Sequence, residues 1–238
     1  MKTRSRKLLA GVGLSALGLM AIATSASADT TLIDGGQTSV LLDTAALSAA
    51  ANLDLSGISE EVIAPGNLGS GSVAFGINGR TGANPTTFAF DSSDFLGSFS
   101  GTIEHTGSVF FNDNAVEVGD FRIGFDAGRA GGLDGQASGF FVESLAGINA
   151  VLFDVSAPSA LEVGSRSLLI DADLLVSNEF AGFLQANSLA STNLAGVDVG
   201  DARVQATAVP TPTAAAAGLL LVTALAARRR GEVTETVE

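Results

Sequence analysis

An all-β fold, an antiparallel β-sandwich or barrel-like domain with one or two short helices, is what this sequence predicts, on three observations. Apolar residues alternate with polar ones in short runs, most clearly over 165–176, where Leu168, Ile170, Ala172, Leu174 and Val176 share one parity. Turn residues punctuate those runs at near-regular spacing, with 29 glycines among 238 residues. Hydrophobic residues make up 46% of the chain and charged ones 16%, a balance that supports a folded core.

Taken in order, Thr38 to Asp43 reads as a short strand, and Asp43 then stands at the N-cap position of Thr44–Ala51, whose alanines favour a helix of two turns. Val73, Phe75 and Ile77 alternate, as do Phe88 and Phe90, with a loop through Gly79, Arg80, Gly82 and Pro85 between them. Residues 100–111 and 115–126 are expected to pair as a hairpin around Asn112-Asp113-Asn114. Val116 and Val118 hold one parity there and Phe121, Ile123 and Phe125 the other, so the inward face must switch at Gly119-Asp120, as a β-bulge would allow. Residues 129–139 form a glycine-rich loop, and Phe140 to Glu143 and Asn149 to Val155 resume strand character. Ser177 is placed to cap a second helix, Asn178 to Ala186, with Phe180, Phe183 and Leu184 on one side, and Val197 to Ala208 closes the body as a last strand.

Both ends read as addresses. Lys2, Arg4, Arg6 and Lys7, the apolar stretch from Leu8 to Ala23 and the small residues Ala26 and Ala28 make a secretory signal peptide over 1–28, cleaved by signal peptidase after Ala28. At the other end Val209, Pro210, Thr211 and Pro212 precede an uncharged run over 213–227, then Arg228, Arg229 and Arg230, with 231–238 as a short tail. A run of 15 residues is a marginal transmembrane helix against the roughly 20 that a bilayer core asks for, and three arginines behind it favour a cytoplasmic end. A single secreted β-rich domain over 29–208 is expected between the two signals.

This tail, over 209–230, resembles the PEP-CTERM sorting signal, in which a short Pro motif precedes a membrane helix and an Arg cluster. The resemblance implies handling by an exosortase-like sorting protease, and the same tail family carries the label of an ice-binding protein C-terminal domain, which describes sorting and implies no ice binding. The chain departs from the family in having Thr211 where the usual motif has Glu, and in the eight residues that follow the arginines. Within the body, Gly101 to Gly107, Leu152-Phe153-Asp154 and Val199 to Ala202 are similar to phrases of a diffuse group of exported bacterial β-domain proteins. That likeness implies a secreted β domain and carries over no functional residue.

Composition narrows the chemistry. The body holds no lysine, and five arginines face 22 acids, a balance that repels nucleic acid and anionic membranes. Without cysteine there is no disulfide, thiol catalysis or thiolate metal site. His105 is the one histidine; with Glu104 behind it a Ser-His-acid arrangement is conceivable, yet no Gly-x-Ser-x-Gly elbow accompanies it, and haem ligation would rest on a single axial ligand. Asp171 with Asp173, and Asp198 with Asp201, leave calcium binding possible, although no calcium loop is present. All 14 aromatics are phenylalanine, the type a dry core uses. The expectation is therefore an exported, non-catalytic protein of the cell surface or extracellular matrix, without catalytic, cofactor or metal residues. A surface module binding calcium or an extracellular polysaccharide is the alternative, and other surface proteins are conceivable partners.

Overall fold

The computed structural model describes residues 30–211, so Ala26 and Ala28, Pro212, the run 213–227 and Arg228, Arg229 and Arg230 lie outside the described residues. Fourteen strands are described: β1 (Thr30–Leu42), β2 (Leu55–Ile58), β3 (Val73–Gly76), β4 (Ala89–Asp91), β5 (Ile103–Glu104), β6 (Ser108–Phe111), β7 (Val116–Gly119), β8 (Arg122–Phe125), β9 (Ala137–Ser144), β10 (Ala146–Gly147), β11 (Ala150–Ser156), β12 (Ala160–Val163), β13 (Ser167–Val176) and β14 (Asp198–Pro210). Between them lie the helices α1 (Thr44–Ala51) and α4 (Asn178–Ala186) and two single turns, α2 (Phe95–Ser98) and α3 (Gly132–Gly135).

The larger sheet is antiparallel and runs β3-β1-β14-β13-β11-β9-β8-β5, with β4 also on β1 and β12 also on β13. Its two ends meet. Ile77, just past β3, bridges His105, just past β5, and the Asn78 amide donates to the Glu104 carbonyl at 2.8 Å. A second seam lies lower down, where Ala89 of β4 bridges Ser100. The sheet thus curls into a barrel of eight strand positions, a size whose interior side chains can either fill or leave room for one small ligand.

Inward parity explains the winding. On β14, Ala202, Val204, Ala206 and Ala208 turn inward and Arg203 and Gln205 outward; on β13 the inward set is Leu168, Ile170, Ala172 and Leu174. Strand β1 begins at Thr30, eight residues before the sequence alternation becomes readable, because a bulge between Ile33 and Gly35 shifts its parity. Thr31 and Ile33 are buried before it and Thr38 after it. Gly36, at φ +114°, lies so close to β14 that a Cβ would be driven into the Gln205 carbonyl.

A smaller sheet, β10-β7-β6-β2, closes one end of the barrel together with α1 and α4. The expected long hairpin is present but divided: β5 with β8 belongs to the barrel and β6 with β7 to the small sheet. The break falls at the predicted face switch. Asp120 takes φ +46° opposite Gly107 at φ +119°, and the Asp120 amide donates to the Gly107 carbonyl at 2.9 Å. A corner between sheets takes the place of the simple bulge, and across it Val118 and Phe121, of opposite parity, are both buried. Both helices follow their caps: the Ala46 amide donates to Asp43 Oδ1 at 2.9 Å and the Phe180 amide to Ser177 Oγ at 3.0 Å.

Candidate functional site

Two apolar clusters form inside the barrel. One, beneath the small sheet, joins Leu47 and Leu53 to Phe111, Leu152 and Phe180; the other joins Ile33, Phe88, Phe90 and Leu168 near the opposite end. Between them the side chains leave a cavity of about 360 Å³, walled by members of both clusters. Its volume lies within the range of roughly 300–1,000 Å³ typical of small-molecule pockets. Protein interiors close-pack with few voids larger than a water, so a space this large is no ordinary packing flaw.

The wall is almost wholly hydrocarbon, and its polar members, Thr38, His105, Ser138 and Ser156, are engaged elsewhere. Thr38 Oγ1 lies 2.8 Å from His105 Nε2, and His105 Nδ1 lies 3.0 Å from the Phe121 carbonyl oxygen. A carbonyl only accepts, so Nδ1 carries the proton and Nε2 accepts from the Thr38 hydroxyl. Burial pushes the His105 imidazole down to about 4, against the opposite pull of the Phe121 carbonyl and the Glu104 charge. Ser138 Oγ donates to the Val155 carbonyl at 2.8 Å, and Ser156 Oγ accepts from the Asp173 amide at 2.9 Å. Such a wall offers dispersion contact and no free polar anchor.

The exposed wall residues mark the mouth. Leu96 on α2 is 75% exposed, Phe125 at the end of β8 41% and Leu161 on β12 38%, with exposed Pro158 among them. Phe99, Phe125 and Phe140 touch one another there, with ring centroids 4.9 to 5.1 Å apart. These positions belong to the end of the barrel that holds the start of β1 and the finish of β14, where Thr31 stands opposite Pro210 and the Thr211 amide donates to the Thr30 carbonyl at 2.8 Å. Val209 and Pro210 are thus the last residues of β14, and both ends of the described chain leave beside the mouth.

The barrel's acids are largely tied into fixed structure. Arg203 binds Asp171 through two contacts of 2.7 Å, and its neighbour lowers the Asp171 carboxyl below its ordinary range. Arg129 spans Asp154, at 2.6 and 3.0 Å, and Glu179, at 2.7 and 3.0 Å; Arg122 bridges Glu104 and Glu143 at 2.9 and 3.3 Å. Asp173 faces Asp201 across β13 and β14, while Asp198 holds the Gly200 amide. Among the described residues no group of three or more histidine or acidic side chains is placed to hold a metal ion. Glu104 is bound to Arg122 and to the Thr102 hydroxyl, so it does not stand behind His105.

Sequence reasoning singled out His105 but missed its partners, Thr38 being 67 residues away. The chamber itself had no signal beyond the abundance of phenylalanine. Among the described residues no helix is long and apolar enough to cross a membrane.

No family model matches this chain, and no curated protein does. Among solved structures, the chain is similar to the C-terminal domain of HtaA from Corynebacterium glutamicum at 16% identity and a TM-score of 0.45, covering 75% of this chain and 99% of that one.

Proposed function

We propose that this chain is an exported, non-catalytic surface protein whose barrel holds a small hydrophobic molecule. The observation that carries the reading is the cavity of about 360 Å³ with a hydrocarbon wall and an apolar mouth. Cavity volume that protein atoms leave unfilled forfeits roughly 24 cal/mol per Å³, so a chamber of this size weighs several kcal/mol against a total stability of about 5–15 kcal/mol. Water is a poor occupant, because it needs two or more polar partners and the wall presents none that is free. A hydrophobic molecule recovers the lost dispersion contact and leaves water at the same time.

Export and sorting are the cellular half of the proposal, and they rest on the sequence at 1–28 and 209–230. The position of Thr30 and Thr211, the two ends of the described residues, side by side at one end of the barrel is compatible with display from a C-terminal tail. Only Pro212 separates Thr211, hydrogen-bonded to Thr30, from the apolar run, so a retained membrane tail would hold the mouth end of the barrel close to the membrane surface. A sorting protease would act beyond Thr211 or would first have to unpair the end of β14.

The test is mass spectrometry of the protein recovered from membranes and medium of its native host. The expected result is a polypeptide ending near 209–213 in the medium fraction, and a hydrocarbon-rich molecule extracted in near-stoichiometric amount from the native chain but not from an Ala172→Phe variant with a filled chamber. Equal extraction from both chains would remove the binding half. A chain running from Asp29 to Glu238 in membranes alone would remove the sorting half.

A further inference from the structure

Resting on the binding reading above, we infer that the chamber selects an uncharged hydrocarbon molecule and discriminates against fatty-acid anions and other negatively charged lipids. Two independent features lead there. Inside, a carboxylate would meet no free donor: His105 Nδ1 is spent on the Phe121 carbonyl, Thr38 on His105, Ser138 on the Val155 carbonyl and the Ser156 hydroxyl on the Ala157 carbonyl or the Asp173 carboxylate. A buried, unpaired carboxylate is among the costliest groups a protein can take up.

Outside, an anionic head left at the mouth would meet negative charge. Asp94, which caps α2 through the Gly97 amide, stands two residues before exposed Leu96; Asp126 follows Phe125; Glu162 follows Leu161. Among the described residues the cations on or beside the strands of the opening are Arg122 of β8, held by Glu104 and Glu143, Arg129 after Asp126, held by Asp154 and Glu179, Arg203 of β14, clamped by Asp171, and Arg166, just before β13. Three exposed carboxylates flanking the mouth residues in the chain therefore outnumber the single arginine without such a partner, and at low ionic strength their field reaches the opening from either face of the strands. An anion is refused whether it is swallowed whole or held by its tail, and a neutral molecule meets neither penalty.

The chain contains no tryptophan or tyrosine, so Phe153→Trp in the chamber wall places a single emitting residue beside the site. The full chain carrying this change, in neutral maltoside micelles at low ionic strength, is titrated with retinol and with retinoate, which share a skeleton and differ in head charge. Saturable energy transfer to retinol is expected, with retinoate needing about tenfold more for the same effect. The gap is expected to narrow in added salt and in the triple variant Asp94→Asn, Asp126→Asn, Glu162→Gln, in which asparagine preserves the α2 cap. Adding Ala172→Phe is expected to abolish the retinol signal and separates chamber from micelle. Equal affinity for the two, or a preference for retinoate, overturns the selectivity and leaves the binding reading standing. Absence of saturable transfer from either, or transfer that survives Ala172→Phe, overturns both.

Discussion

His105 shows what a single residue contributes to the barrel. It bridges Ile77 across the seam and is 2% exposed, with Thr38 of β1, the Phe121 carbonyl beside β8 and the Glu104–Arg122 pair on its neighbouring strands. Because burial holds its folded value near 4, the unfolded chain takes up the proton first as pH falls. Stability is therefore full above about pH 6.5, where neither state is protonated, and declines between about 6.5 and 4 by about 3 kcal/mol. Asp171 and Glu179, lowered by Arg203 and Arg129, contribute stability above the ordinary carboxylate range that is lost at lower pH, as they protonate in the fold. Denaturant melts across pH 7.5 to 4 should show the first decline in the native chain and a much shallower one in His105→Gln. An unchanged slope would mean that the imidazole does not lie neutral in the seam. The sequence singled out His105 for its rarity alone; its role was not legible, because the atoms it bonds come from strands distant in the chain.

At the scale of elements, Arg129 ties the loop after β8 to β11 through Asp154 and to α4 through Glu179, and its guanidinium lies 5.7 Å from the Phe141 ring centre. Asp154 is only 3% exposed, so Arg129→Ala would strand a buried carboxylate at a cost of about 3 kcal/mol. Adding Asp154→Asn should return part of that loss, and a double-mutant cycle on thermal or urea melts measures it. If the two changes cost the same separately and added together, the clamp would contribute nothing. Helices α1 and α4 were legible to the residue, since Asp43 and Ser177 cap them by contacts within three positions, whereas the single turns α2 and α3 were not, α3 lying in the stretch read as glycine-rich loop. The first half of β1 was not, because its bulge breaks the alternation on which strands are recognised. The hairpin corner at Gly107 and Asp120 was visible as a parity conflict, but two sheets could be told from one bulged sheet only by where the flanking strands found partners.

Across the whole molecule, the chamber makes the interior uneven in its tolerance of added volume. Ala172 faces the cavity, whereas Ala181 of α4 is 1% exposed in the packed cluster under the small sheet. Ala172→Leu should leave thermal stability unchanged or raise it, while Ala181→Leu should cost about 1–3 kcal/mol by overpacking. Equal destabilisation by both would show that the barrel interior is solid. The sequence by itself determined the β class, the two capped helices and the phenylalanine-rich core, because alternation and capping patterns act over a few neighbouring residues. Tertiary structure alone decided that the sheet closes, that its interior is larger than its side chains fill, and that the opening lies beside Thr30 and Thr211, the two ends of the described residues. Closure depends on the register summed around eight strand positions, and a cavity is the difference between enclosed and side-chain volume, quantities that no short stretch of chain contains.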